Sequence, residues 1–517
     1  MKMGVRQISL FVMLLLIANI SLFAYDFESN GVYFNVKSLD DMSCVVTCGE
    51  NNDGYSGIVN IPSSVTYKNR EFSVVGIDKR AFKNCVKLCN VDIPETVISI
   101  GDEAFYGCSL LERINLPLTL TEWGESAFNG CTKLHSLDIP TGVWILPEKI
   151  FYECSALEEI SIPCNVTLIS DDAFAFSGVK KCVIEDSDNR IELKGSNISL
   201  GYFDKIFHIS GGAFSNTSIE YLYLGRNYEL RTGYYSNTHS PFFGVETIEE
   251  VIIGEKVSSI PVQTFVTHRD YRTSTTAGYD WDYKTCPNFT NFTVLSGPSL
   301  SFVQEVNYGK GYNDYENIKN LNLNRNIDYS ALGIYAYTLF SKLENVVLDG
   351  DFTSINSDLF YECSNLSSIE ISNRVTDISY GAFYGTKNLK SIFIKAITPP
   401  SFKGDPGFSD KQFMDASVFV PQTSLEAYKN ADIWKNFWNI AGSDFSKIEN
   451  VEIDNPGKAF IITQTGITAL TNGIFDVYSL NGYMIKSCIL SSGESIDLSN
   501  GVYLVSFNGL IVKILIK

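Results

Sequence analysis

This sequence predicts a β-rich solenoid, short parallel strands stacked one above another and joined by tight turns, with a small all-β domain behind it. Three observations carry that prediction. An aromatic anchor recurs every 23 residues, at Phe82, Phe105, Phe128, Phe151 and Phe174. Each of the first four anchors is followed by a leucine and by an apolar–polar–apolar triplet closed with proline, as in Val91, Asp92, Ile93 and Pro94. Beyond about Ser446 the composition changes and a hairpin pattern appears. A triplet that alternates in and out is a strand with one buried face. Proline cannot donate to the ladder and ends the strand. One such unit cannot bury its own Leu and Ile side chains, but stacked units share a continuous core.

The elements follow in chain order. Over residues 1–24, Lys2 and Arg6 precede an apolar run at 8–20, and Ala24 is small enough for cleavage. That is the pattern of a secretory signal peptide. The run is shorter than the roughly 20 residues a spanning helix needs, so a mature chain beginning near Tyr25 with no transmembrane segment is expected. Residues 25–73 read as an N-terminal β cap. Residues 74–400 read as about twelve repeat units, with the register returning at Phe242 and Phe265 and at Tyr337, Phe360 and Phe383. Degenerate copies fall at Phe214, around Cys286 and Phe289, and before Ile318. Insertions over 186–205, 228–240, 266–282 and 296–317 are rich in Tyr, Asn, Ser, Thr and Gly, and read as surface loops. Residues 401–446 read as a closing cap, which an open solenoid end requires to cover core and strand edges. Residues 447–517 read as a sandwich-like all-β domain in which Asn481 and Gly482 turn one hairpin.

The unit from Ile100 to Pro117 places Ala104, Phe105, Gly107, Cys108, Leu111, Ile114 and Leu116 at the repeated positions. It resembles the BspA-type leucine-rich repeat of bacterial surface proteins, and the resemblance covers residues 74–396. Tyr55, Gly57, Ile61, Pro62 and Val65 resemble that family's N-terminal cap. Val418, Val420, Pro421, Leu425, Tyr428, Trp434 and Phe437 resemble its closing element. The insertions depart from the family's regular spacing. The resemblance implies a right-handed leucine-rich-repeat stack and an adhesin-like role, binding host proteins, other bacteria or glycans. At the C-terminus, Val477, Tyr478, Asn481 and Gly482, then Gly501, Val502, Tyr503, Leu504 and Val505, and the final Lys517, are similar to the type A sorting domain of the type IX secretion system of Bacteroidota. That similarity implies an extracellular or outer-membrane-surface location, with release or glycolipid attachment. An ordinary adhesive or immunoglobulin-like β-module is the alternative for this segment.

The 517 residues carry 59 acids against 40 bases, a net charge of −19. This disfavours nucleic acid and anionic membranes as partners. No nucleophile elbow, paired-histidine zinc helix or phosphate loop occurs. The 4 histidines are His135, His208, His239 and His268, none in a triad context. Glu185, Asp186 and Asp188 suggest a calcium loop only faintly, without its glycine and closing glutamate. No catalytic residue, cofactor or metal is expected. A hydrolase sited in the 186–317 insertions stays open as an alternative. Of the 12 cysteines, Cys85, Cys108, Cys131, Cys154, Cys286 and Cys363 share one repeat position. They read as small buried thiols in a column rather than as disulfides. Cys44 and Cys48 lie about 13 Å apart along a strand, too far for a bridge.

A solenoid sheet is an extended binding surface. Its outward residues are the centres of successive triplets, Asp92, Asn115, Asp138 and Ser161, then Tyr223, Ile252, Thr293, Asn322, Val347, Glu370 and Phe393. The first four are small and polar. Tyr221, Tyr223 and Ile252 form the candidate binding patch, since rigid aromatics stack on sugars or anchor protein partners. A monomer that binds a protein or glycan is expected, and a surface glycan-capture scaffold is the second reading.

Overall fold

The structure is a computed structural model that describes residues 25–49, 54–194, 197–200, 207–210, 212–231, 240–261, 264–275, 278–303, 315–328, 339–357, 359–443, 460–463, 466–469, 473–479, 484–491, 494–498, 501–507 and 510–516. The segment read as a signal peptide and the Asn481-Gly482 turn lie outside the described residues. The chain forms two compact units, one of Met1–Glu185, Asn189–Ile219 and Glu229–Val245, the other of Asp186–Asp188, Glu220–Tyr228 and Glu246–Lys517.

In the first unit, antiparallel strands Phe27–Ser29, Val32–Ser38 and Ser43–Thr47 lead into Arg70–Ile77. From there every ladder between repeats is parallel. Ser56–Asn60, Lys87–Asp92 and Arg113–Asn115 pair on one wall. Arg70–Ile77, Ser99–Ile100 and Glu122–Trp123 pair on a second. The triplet at Leu137 and Ile139 keeps the alternating burial but forms no ladder.

The anchors sit on a third wall made of consecutive tight turns. Lys83, Cys85 and Leu88 each donate a backbone N–H three residues back, to Arg80, Phe82 and Cys85. Neighbouring turns are also tied to each other, because Phe82 donates to the Ala104 carbonyl and Phe105 to that of Ala127, both at 2.7 Å. Closing these turns needs left-handed backbone at two fixed places. Two residues before the anchor stand Arg80, Glu103, Ser126, Lys149 and Asp172, with φ between 52 and 62°. Two residues after it stand Asn84, Gly107, Gly130, Glu153 and Phe176, with φ between 58 and 74°. Gly and Asn recur at the second place because they tolerate that conformation.

Phe82, Phe105, Phe128, Phe151 and Phe174 are fully buried and stack ring on ring, with centroids 4.8–5.7 Å apart and planes within 24°. The column continues through Phe214 and Phe242. Its spacing follows the strand spacing, so backbone stacking imposes the ring arrangement. Each buried Phe side chain contributes about 1.5–3 kcal/mol.

In the second unit nine parallel strands form one sheet, in the order Tyr221–Leu224, Glu250–Ile253, Asn291–Val294, Asn320–Leu323, Asn345–Leu348, Ser368–Ile371, Ser391–Ile394, Ser417–Pro421 and Asn439–Ser443. Alternate residues such as Leu222, Leu224, Val251 and Ile253 are buried. Helix Asp410–Asp415 is opened by a capping box between Ser409 and Gln412. Trp434 and Tyr428, fully buried, reach the Pro400 and Ala396 carbonyls through Nε1–H and O–H at 2.9 and 2.8 Å. C-terminal strands make two antiparallel sheets, Phe460–Thr463 with Gly466–Ala469 and Ser495–Asp497, and Met484–Leu490, Gly473–Ser479, Gly501–Phe507 and Leu510–Ile516.

The insertions differ from the loops that the sequence suggests. Ile191–Lys194 and Leu300–Val303 are second-wall strands of the stack, parallel to Leu168–Ile169 and Ser259–Pro261. The predicted insertions therefore start too early. The reason is that these strands bury only two residues each, Ile191 with Leu193 and Leu300 with Phe302, too few to mark a strand by period. The 266–282 segment is an antiparallel hairpin, Val266–Thr275 with Gly278–Thr285, inserted between the anchor Phe265 and Cys286.

Candidate functional site

The parallel register decides which residues meet on the outward face of the second unit's sheet. Tyr221 stands beside Glu250, and Tyr223 beside Ile252. Glu250 is followed in its row by Asn291, Asn320 and Asn345, and Ile252 by Thr293, Asn322, Val347, Glu370 and Phe393. The structure thus brings Tyr221, Tyr223 and Ile252 together, each half-buried.

Two features around this patch were not legible in the sequence. The Tyr223 hydroxyl lies 2.8 and 3.0 Å from the two carboxylate oxygens of Asp186 and donates to that group. Burial and this carboxylate push the phenol's pKa well up, so it stays a donor. Thirty-seven positions separate the two residues, beyond any local pattern. Gly254 makes the approach possible, because a Cβ there would lie 2.7 Å from both Tyr223 Oη and Asp186 Oδ1. The second feature is Glu250, whose carboxyl pKa is raised by burial.

Farther along the sheet the outward row changes character. Asn320 donates to Asn291, and Asn345 to Asn320, each through Nδ2 at 2.8 Å. This amide ladder uses the strand spacing as the phenylalanine column does. Lys395, 9% exposed, lies 2.8 Å from Glu370 and 3.4 Å from Asp349. Burial disfavours its charge, yet the two carboxylates hold its pKa above the ordinary value. Phe393 stacks on Phe419 at 4.8 Å and 12°. The sequence places Phe393 in the row, and the register sets Phe419 beside it.

The thiol column is a packing feature. Cys108, Cys131 and Cys154 are buried and free, and donate Sγ–H to the carbonyls of Phe82, Phe105 and Phe128 at 3.0–3.2 Å. Burial pushes the Cys154 and Cys363 thiols up to about 12 and those of Cys44 and Cys85 to about 11. Cys164 is exposed. Among the described residues no group of three His, Cys, Asp or Glu could hold a metal ion. In the first unit a cleft of about 730 Å³ opens beside the cap, lined by Tyr33, Tyr55, Lys83 and Cys85 among others.

The stacked parallel strands, turn wall and shared core define a leucine-rich-repeat solenoid. The BspA type leucine rich repeat family model matches in six copies, over residues 75–195 and 283–404. Similar solved structures include a leucine rich cell surface protein from Faecalibacterium prausnitzii A2-165, at 18% identity over 73% of this chain and 96% of that one, with a TM-score of 0.37. A leucine-rich repeat protein from Bacteroides ovatus ATCC 8483 is 22% identical over 71% of this chain and 94% of its own, with a TM-score of 0.24. The pneumococcal vaccine antigen PcpA is 16% identical over 81% and 98%, with a TM-score of 0.28. No curated protein matches the chain. Among the described residues no helix is long and apolar enough to cross a membrane.

Proposed function

We propose that this chain is an exported surface protein that binds a protein ligand through the outward sheet face of its second unit, with Tyr221, Tyr223 and Ile252 at the contact. The observation that carries the reading is the register that assembles two tyrosines and an isoleucine on a rigid sheet. Such residues supply contact area at low entropic cost. The BspA-type repeats support a surface-binding role. Residues 1–24 act as the export signal, 25–73 and 401–446 close the stack, and 447–517 serve as the sorting domain. A monomer without cofactor is sufficient for this role.

Arrays of purified extracellular-matrix proteins and of glycans test the reading. The full chain should select a protein ligand, and changing both Tyr221 and Tyr223 to Ala should weaken it at least about ten-fold with an unchanged melting temperature. Equal binding by the double variant would remove the patch from the function. Glycan capture is the second reading, favoured by the Phe393–Phe419 stack, and selection of glycans alone would support it. Cell fractionation tests export: a chain lacking residues 446–517 should stay in the periplasm.

A further inference from the structure

Toward the far end of this sheet acidic groups are matched by lysines. Glu370 and Asp349 share Lys395, and Glu344 lies 3.1 Å from Lys319. Beside the tyrosines the balance fails. Glu249 and Glu250 both donate their backbone N–H to the Glu220 carbonyl, which gathers three acidic residues at the start of two strands. Asp186 sits on Tyr223, and Glu255 follows the second strand. The neighbouring cation Lys256 is taken up by Asp188 at 3.0 Å. Glu250 is half-buried, and no described residue gives it an ion pair or a side-chain hydrogen bond.

A partly desolvated carboxylate without a cation is costly, and here it stands next to Tyr221 in the register. The missing complement has two properties. It must donate hydrogen bonds to a carboxylate, and it must pack flat on an aromatic ring. A guanidinium does both, by forked hydrogen bonding and by stacking, whereas an ammonium is a hydrated point charge.

We propose that the face formed by Tyr221, Tyr223, Glu250 and Ile252 takes an arginine-bearing segment of the protein ligand, with Glu250 receiving the guanidinium and Tyr221 stacking on it. This rests on the binding-face reading above and adds the chemistry of the partner.

Fluorescence anisotropy of the full chain with labelled oligo-arginine and oligo-lysine peptides of equal length tests it. Oligo-arginine should bind several-fold more tightly than oligo-lysine, and binding should weaken at about 0.3 M salt. Glu250→Gln should weaken oligo-arginine at least about ten-fold without lowering the melting temperature, since it removes an unmatched carboxylate. Glu426→Gln is the charge control; Glu426 pairs with Lys429 in the closing segment, and this variant should bind as the unaltered chain does. Equal loss in both variants, or none in Glu250→Gln, would overturn the proposal. The array-selected ligand separates the two readings. If it is lost with the tyrosines but indifferent to Glu250→Gln, the binding face stands and arginine recognition falls. If neither change affects it, the binding face itself falls.

Discussion

Two regions built from the same repeat pack their aromatics in different ways. From Phe82 to Phe174 the five anchor phenylalanines stack within 24° of parallel, with Trp123 packed edge-on beside two of them. From Phe265 to Phe340 the rings are tilted or edge-on: Phe265 to Phe289 at 60°, Phe289 to Tyr315 at 57°, Tyr315 to Phe340 at 70°. The cause is position in the unit. Phe289 stands three residues before Phe292, where regular units have Leu88 before Val91. Tyr315 and Phe340 stand six before Leu321 and Val346, where regular units have Cys85. Aromatics moved off the anchor still fill the core but cannot stack as a column. Spacing along the chain matters less, since Phe174 and Phe214 stack at 5.1 Å across an interrupted repeat. The comparison teaches that the backbone ladder, rather than sequence distance, keeps the column in line.

Alkali should separate the two regions most. Cys85, Cys108, Cys131 and Cys154 occupy the regular block, while in the other the equivalent place holds one cysteine, Cys286, and then Tyr315 and Phe340. Folded thiols titrate above their ordinary 9.0, at about 11 for Cys85 and about 12 for Cys154. The unfolded chain therefore loses protons first as pH rises. Stability contributed by the neutral thiols is complete below pH 9.0 and is lost toward the folded values. Each buried thiol contributes roughly 1.4 kcal/mol of this loss per pH unit. Limited proteolysis at about pH 10 should cut first within 82–174; cutting first around 289–340 would break the account.

Phe128→Ala should cost about 3–5 kcal/mol by denaturant titration. Because repeats lean on their neighbours, hydrogen-exchange protection should fall beside Phe105 and Phe151 and persist in Asn345–Leu348. A double-mutant cycle between Phe105 and Phe128 should show about 0.5–1.5 kcal/mol of coupling, and one between Phe289 and Tyr315 less.

The smallest effects belong to the turn wall. Gly130→Ala should cost about 1 kcal/mol, because φ is 74° although a Cβ meets nothing nearer than 3.6 Å. Glu153→Gly, at φ 58°, should stabilise by a few tenths to about 1 kcal/mol. Thermal melts of both variants check the pair, and opposite signs are expected.

The regular block was legible because one pattern, Phe followed by Cys, Leu and a triplet, repeats without gaps. The turn conformations were partly legible, through Gly107 and Gly130. The second-wall strands at Ile191 and Leu300 were not, since two buried residues make no period. The patch was half legible. Counting triplet centres placed Tyr223 and Ile252 in one row, which the register supports. Asp186, Gly254 and the unmatched Glu250 needed the three-dimensional contacts. The family pattern also lapses over 196–282, the segment that holds Tyr221, Tyr223, Glu250 and Ile252, so the candidate surface lies where the repeat is least regular.

The most direct test of the central claim is hydrogen exchange of the full chain with and without the array-selected ligand. The account predicts new protection in Tyr221–Leu224 and Glu250–Ile253, with the regular block unchanged. Protection confined to the turns between Phe82 and Phe174 would contradict it.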